Sequence, residues 1–414
     1  MIASRPRWFR LSMFGLLYFV QGVALAYFRN FQKPYLDSFN IDADAIGLLT
    51  SILLVPFVLK IFIGMLSDRV NILGLGHRKP YVLIGLVLAA IAFASASLVS
   101  PGNNFILFAA LVVAGSFSVT LFDSTTDGLA IDITPRDEQG QVQGTMVSGR
   151  AVAFIILSLV FGMLVQRQGY GIVFLIIAAS MLIPLLWVMQ AREPQERDAT
   201  QRFEWGAFRA LLRPQFLVFA AYAIVYSIVS FGVDGLVTFF MSQEFNAAET
   251  TIGAYGALRG VGAAIGALGG GLLIDRLGRR PSAFGALAAI SIGAALIGFA
   301  PGVDMLLVIG VVWGIAWGFQ ETVFVALAMD LADARIAASM FAIMMAVSNI
   351  GTAIGEGVAT GLTDNMRFAA IFWLLAGVNV VTFPIVWGLF KSAPQIARAT
   401  TEYEPVLDSE VGKL

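Results

Sequence analysis

Twelve runs of mainly apolar residues divide this chain, each long enough to cross a bilayer as a helix. They read at 10–36, 44–66, 80–99, 105–132, 145–166, 170–190, 215–240, 251–274, 282–300, 304–331, 337–362 and 367–391. A hydrocarbon core is spanned by about 20 helical residues. Turn chemistry separates the runs, as in Pro101-Gly102-Asn103-Asn104, Gln168-Gly169, Pro301-Gly302 and Thr363-Asp364-Asn365. Of 414 residues, 58% are hydrophobic and only 13% charged, and the mean hydropathy is +0.83. A soluble core of this size cannot hide that much apolar surface. A soluble enzyme, a nucleic-acid binder and a disordered scaffold are therefore excluded. The expected fold class is an all-α polytopic membrane protein with twelve transmembrane helices.

The few charges carry the remaining information. The net charge of −1 predicts no polyanionic partner. The absence of cysteine removes disulfide and thiolate chemistry and fits a prokaryotic cytoplasmic (inner) membrane. His77 is the one histidine, so proton chemistry within the membrane must use carboxylates. No metal-ligand cluster and no Walker lysine pattern is present, so neither a metal, nor a cofactor, nor an enzymatic role is expected. The N-terminus imitates a signal peptide, with Arg5, Arg7 and Arg10 before an apolar run that ends at Ala24-Leu25-Ala26. It is expected to be retained, because the run already spans and many spans follow. Nineteen of the 26 lysines and arginines fall on one side if the N-terminus is inside, against Arg167 and Arg367 outside. Both termini are therefore expected in the cytoplasm.

The chain reads as a duplication. Gly64-Met65-Leu66-Ser67-Asp68-Arg69 ends the second run and Gly271-Leu272-Leu273-Ile274-Asp275-Arg276 the eighth. Leu129-Ala130-Ile131-Asp132 ends the fourth and Leu327-Ala328-Met329-Asp330 the tenth. Two six-helix bundles, 1–190 and 214–391, are expected, joined by a polar cytoplasmic linker at 191–213 and followed by a tail at 392–414. Duplicated bundles are the repeat logic of secondary transporters.

The stretch Gly271 to Arg280, with Asp275-Arg276-Leu277-Gly278-Arg279-Arg280, resembles the cytoplasmic loop motif G-x-x-x-D-R-x-G-R-R of the major facilitator superfamily. The first-half copy has a longer loop, Val70 to His77, before Arg78-Lys79. That version, from Pro56-Phe57 through Lys60 and Gly64 to Ser67-Asp68, then Gly76-His77-Arg78-Lys79-Pro80-Tyr81, is similar to the folate-biopterin transporters. It is also similar to the muropeptide permeases and the PucC-like proteins, and Asp127-Gly128-Leu129-Ala130-Ile131-Asp132-Ile133-Thr134-Pro135 strengthens that group. The fifth run, Ser148-Gly149-Arg150-Ala151, lacks the Gly-Pro motif of the superfamily's drug antiporters. The resemblance implies a major facilitator fold of two pseudo-symmetric bundles, with spans one, four, seven and ten around a central cavity.

Each of those four spans carries a polar or aromatic stripe at helical spacing. Substrate-binding candidates are Tyr18, Gln21 and Arg29 on span one, Tyr222 and Tyr226 on span seven, and Trp313, Trp317 and Gln320 on span ten, with Arg259 on span eight. Guanidinium grips carboxylate or phosphate as a fork. Arg29, Lys33 and Arg259 can equally close internal salt bridges, Arg259 with Glu356 or Asp234. The tryptophans can stack a flat ring or pack against a neighbour. Proton-coupling candidates are Asp123, Asp127, Glu321 and Asp234. Asp123 and Glu321 correspond under the repeat, each nine residues before the Asp of Leu-Ala-x-Asp. Burial favours a neutral carboxyl and a nearby guanidinium a charged one, a tension that can couple protonation to occupancy.

Asp68, Arg69, Arg78, Asp132, Arg150, Asp275, Arg276, Arg279, Arg280 and Asp330 read as conformational residues that close the cytoplasmic side. Lys60 is expected to join them. The function expected is a secondary active transporter that moves a polar or anionic organic solute by alternating access, as a proton-coupled symporter and a monomer, with small-molecule and proton partners. Two alternatives stand beside it. One is a PucC-like pigment-protein assembly factor without solute flux, and the other is a proton-coupled exporter.

Overall fold

The computed structural model describes residues 6–74, 76–135, 138–193, 212–331 and 337–394, without the side chains of residues 68, 73 and 337–339. Most of the expected linker 191–213 and the tail beyond 394 lie outside the described residues. Twelve long apolar helices form the fold. The first six are α1 (Arg7–Asn30), α2 (Ala43–Arg69), α3 (Lys79–Ala96), α4 (Phe105–Ile133), α5 (Gln139–Gln168) and α6 (Gly171–Gln190). The second six are α7 (Pro214–Phe245), α8 (Glu249–Leu277), α9 (Arg279–Gly298), α10 (Val303–Leu331), α11 (Ala337–Gly361) and α12 (Phe368–Ser392). All are too apolar to stay in water, so the protein is a multi-pass membrane protein.

The helix boundaries have local causes. The Asn104 side chain caps α4 by accepting the Leu107 N–H at 3.0 Å. Pro80 sits in the first turn of α3, where its missing N–H costs nothing. Asn246 closes α7 in the left-handed conformation (φ 48°), and Gly278 turns α8 into α9 at φ 86°. The first run differs from the sequence reading. It breaks after Asn30, and Gln32–Asp37 forms a short separate helix. Pro34 explains the break, because its ring would clash with the carbonyl four residues back.

Each end of the molecule packs differently. At the end away from the termini, α5 meets α8 and α2 meets α11 with backbones almost touching. A methyl at Gly162 would lie 2.5 Å from the Glu249 carbonyl oxygen, and one at Gly47 would lie 2.5 Å from that of Gly357. Small residues permit this approach. Hydrogen bonds reinforce the seam between the halves. Ser51 Oγ donates to the Ala353 carbonyl at 2.8 Å, Tyr170 Oη to Glu249 Oε1 at 2.6 Å, and Gln243 Nε2 to Asp37 Oδ1 at 2.7 Å. Toward the termini α5 and α8 part. Methyls at Gly140 and Gly144 of α5, or at Gly269 and Gly271 of α8, would meet nothing within 4 Å. The fold is thus sealed at the distal end and splayed at the end that carries the termini.

Gly357 tests this seam, because a side chain there would overlap Ser51 Oγ. Gly357→Val should disfavour the sealed state by about 1–3 kcal/mol. The chain has no cysteine, so Ala43→Cys, 6% exposed at the distal end of α2, supplies a single reporter thiol. Maleimide labelling of that thiol should accelerate about tenfold in the Gly357→Val background. An unchanged rate would show that the seam does not set distal closure.

Candidate functional site

Between the halves lies a cavity of about 380 Å³. Its polar groups are Gln21 and Arg29 of α1, Ser116 of α4, Arg150 of α5, Arg259 of α8 and Glu321 of α10. Phe28, Phe57, Phe154, Phe231 and Trp317 form aromatic walls. A smaller chamber of about 140 Å³ adjoins it, shares Arg29, and adds Gln32, Thr50, Asn349, Thr352 and Glu356. The cavity exists because a seam of glycines presses α8 onto α10. Methyls at Gly262 and Gly266 would overlap α10 carbonyls, so Arg259 and Trp317 can share one wall.

The three arginines differ in what holds them. Arg259 forms a fork on Asp234 through Nε at 2.7 Å and Nη2 at 2.6 Å. Its guanidinium stacks 4.5 Å from the Trp317 ring centre and 5.5 Å from that of Phe154. Arg29 bonds Glu356 across the two halves. Lys33 stands 3.6 Å from the same carboxylate and donates to the Gly235 carbonyl at 2.6 Å. Of the internal pairs left open above, Arg259 takes Asp234 and Arg29 takes Glu356. Arg150 forms no ion pair among the described residues and lies 5.5 Å from the Tyr18 ring centre. Its expected place at the cytoplasmic gate is corrected. Because α5 starts at Gln139 and not at 145, Arg150 sits about 16 Å along the helix at 1.5 Å per residue. There it lines the cavity, beside the close approach of α5 to Gly22 of α1.

The carboxylates also separate. Lys60 Nζ donates to both Asp123 Oδ2 and Asp127 Oδ2 at 2.7 Å, and the Tyr18 hydroxyl donates to Asp127. Lys60 therefore leaves the gate where the sequence reading put it and serves mid-span as a shared counter-ion. Asp234 is claimed by Arg259 and also accepts the Trp313 indole N–H at 3.0 Å. Glu321 accepts from the Tyr226 hydroxyl, and among the described residues no cation lies within ion-pair distance of it. The repeat explains the contrast. Lys60 lies eight residues before Asp68, and the residue eight before Asp275 is Ala267, which shares the cavity wall with Glu321.

Five expected cavity residues, Tyr18, Tyr222, Tyr226, Trp313 and Gln320, are absent from its wall. Trp313, Tyr222 and Gln320 are fully buried. Trp313 packs on Gly293 and binds Asp234, while Gln320 Nε2 donates to Tyr222 Oη at 2.7 Å. Tyr226 is also buried and reaches the site only through Glu321. A polar stripe marks the inward face of a helix, which serves both bundle core and cavity. The phenylalanine walls had no polar signal to reveal them.

Four of the expected conformational residues pair within their own halves, Arg78 with Asp132 and Arg279 with Asp330. Arg78 donates to Ser67 and, at 3.2 Å, to the Gly64 carbonyl, and stands 3.6 Å from Asp132. Arg279 donates to Asp330 at 2.7 Å. Arg69, Asp275, Arg276 and Arg280 are exposed at the splayed end, with Arg280 4.3 Å from the Trp387 ring centre. The Asp68 side chain lies outside the described residues. Glu193, just past α6, was not anticipated. Its carboxylate accepts the N–H groups of His77 and Arg78 at 2.9 Å and Lys79 at 3.0 Å, and so caps α3.

Comparison with known proteins agrees with this architecture. The pattern of the Major Facilitator Superfamily matches residues 12–241 and 223–408. The anhydromuropeptide permease of Escherichia coli (strain K12) is 26% identical over 415 residues, covering 98% of this chain and 83% of that protein. The folate-biopterin transporter of Synechocystis is 28% identical over 239 residues, 53% of this chain and 46% of that protein. A bacterial homolog of the human lysosomal transporter Spinster, solved inward-facing and unoccupied, shares the fold with a TM-score of 0.74 at 17% identity. That match covers 96% of this chain and all of that one.

The buried Arg259–Asp234 fork yields a stability test. Asp234→Asn strands a guanidinium that is 8% exposed and should destabilise the protein by about 3–5 kcal/mol. The double variant Asp234→Asn, Arg259→Gln should recover much of the loss. Apparent melting temperatures in detergent check the order, and a double variant no more stable than the single one would refute it.

Proposed function

The chain belongs to the Major Facilitator Superfamily, and from that premise we propose that it is a proton-coupled symporter that imports an organic anion across a prokaryotic cytoplasmic membrane. Its relatives are transporters of organic solutes, and their printed cargoes, anhydromuropeptides and folate or biopterin, are the first to try. The two bundles, 1–190 and 214–391, rock about the cavity while the linker 191–213 and the tail 392–414 stay in the cytoplasm with both termini. The excess of Lys and Arg on that side supports this orientation. The splayed end then faces the cytoplasm, and the conformation corresponds to an inward-open state.

The observation that carries the reading is Glu321. An ammonium already holds Asp123 and Asp127, because Lys60 donates to both. A cavity carboxyl without a counter-cation is the one that gains and loses a proton as the cavity opens to each side. Four candidates thus reduce to one carrier. Asp123, Asp127 and Asp234 hold the bundles together, and Glu321 couples. A cavity with converging polar groups supports transport over an assembly role.

Reconstituted protein and a ligand chosen by thermal shift from anhydromuropeptide, folate and biopterin test this. Glu321→Gln should abolish accumulation driven by an acid-outside gradient while preserving counterflow exchange at equal pH. Asp123→Asn should instead lower thermal stability. Acid-driven accumulation by Glu321→Gln at the wild-type level would sink the proton assignment.

A further inference from the structure

We propose that Arg150 is the anion seat of the central cavity and that it selects a solute with one anionic group on a flat apolar body. This rests on the cavity being a solute site, as in the reading above. Most charged groups in the wall are already engaged. Arg259 gives the Nε–Nη2 edge of its guanidinium to Asp234 and is paired there. Arg29 is held by Glu356, with Lys33 beside the same carboxylate. Arg150 alone of the three has no carboxylate partner among the described residues, and it is part-exposed to the cavity. A guanidinium in a low-dielectric wall binds one carboxylate or phosphate group strongly.

A second anionic group on the solute would find no second guanidinium in the wall without a carboxylate already on it. It would instead meet Glu321, or compete with Asp234 or Glu356 for cations that they already hold. Like-charge contact of this kind discriminates against the wrong ligand. The rest of the wall specifies the body. Phe28, Phe57, Phe231 and Trp317 offer ring faces and edges. Two polar atoms there have no partner, the Trp317 indole N–H and the Gln21 Oε1. An unused buried donor and acceptor call for their complements on the ligand. The chemistry that fits is an aromatic monoanion with one hydrogen-bond donor, such as a ring hydroxyl, and one acceptor. A cavity of about 380 Å³ lies in the range that encloses a ligand of this kind.

The test uses the purified full chain in detergent and titration calorimetry with three probes of one shape. These are 6-hydroxy-2-naphthoate, naphthalene-2,6-dicarboxylate and 6-hydroxy-2-naphthalenemethanol. The monoanion should bind at least about tenfold more tightly than the dianion or the neutral alcohol. Arg150→Gln should remove that preference over the alcohol, and Arg150→Lys should keep part of it. Gln21→Leu should weaken the hydroxylated monoanion but not unsubstituted 2-naphthoate. Melting temperatures of the variants near wild type certify folding. Should Arg150→Gln fail to fold, the probe series on the wild-type protein still decides. Equal binding of monoanion and dianion, binding unchanged by Arg150→Gln, or no binding of the monoanion at millimolar concentration would overturn the proposal. Proton-driven uptake of anhydromuropeptide alongside any of these would leave the transporter reading standing. Arg150-dependent binding without flux would do the reverse.

Discussion

A charge buried in hydrocarbon must find an opposite charge, a dipole or water, and the structure is organised around that demand. Insertion scales put an unpaired central charge at about 2.5–3.5 kcal/mol or more. Arg259 therefore closes on Asp234, Arg29 and Lys33 gather at Glu356, and Lys60 bridges Asp123 and Asp127. These clusters fix helix to helix inside each half and, at Glu356, one half to the other. What they leave unclaimed is as informative as what they bind. Arg150 and Glu321 remain without ionic partners among the described residues, and both face the cavity. Water and a solute can serve them there, so the pairing rule that stabilises the bundles also singles out the groups on which the proposed function rests.

The duplication gives this rule a second use. Each half places a tyrosine against a carboxylate, Tyr18 on Asp127 and Tyr226 on Glu321, and Asp123, one turn from Asp127, is the repeat counterpart of Glu321. Only the first half adds a lysine. With Lys60 the acidic cluster becomes a structural knot, and with Ala267 in the matching place the carboxyl stays open to the cavity. A single difference between the repeats, Lys60 against Ala267, separates a carboxylate with an ion-pair partner from one without.

Small residues supply the other half of the design. The glycine contacts of α5 with α8 and α2 with α11 let the distal ends seal without bulky side chains between them. The motif residues at the opposite end, Arg78 with Asp132 and Arg279 with Asp330, brace their own halves while the mouth is splayed. Glu193 ties the start of the inter-half connection to the first turn of α3. Each half is thus braced by its own ion pairs, and close glycine contacts join the two at the distal end.

Much of this was legible in the sequence, because the bilayer imposes a length and a polarity on every helix. Twelve runs, their turns, the doubled Asp-Arg and Leu-Ala-x-Asp motifs and the list of buried charges follow from composition and spacing alone. Periodicity also put Gln21, Arg29 and Trp317 on inward faces. It does not tell a face that lines the cavity from one that packs its own bundle, and Trp313, Tyr222 and Gln320 lie on the second kind. Nor could it pair the charges. Lys60 and Asp123 are 63 residues apart, and Arg29 and Glu356 are 327 apart. Their partnership depends on how whole helices cross, on the few ångströms of approach that glycines permit, and on a helix start shifted by six residues at α5. The sequence alone determined that charges would be buried and which helices would carry them. Only the tertiary structure decided which charges cancel and which stay free, because cancellation depends on distance in space.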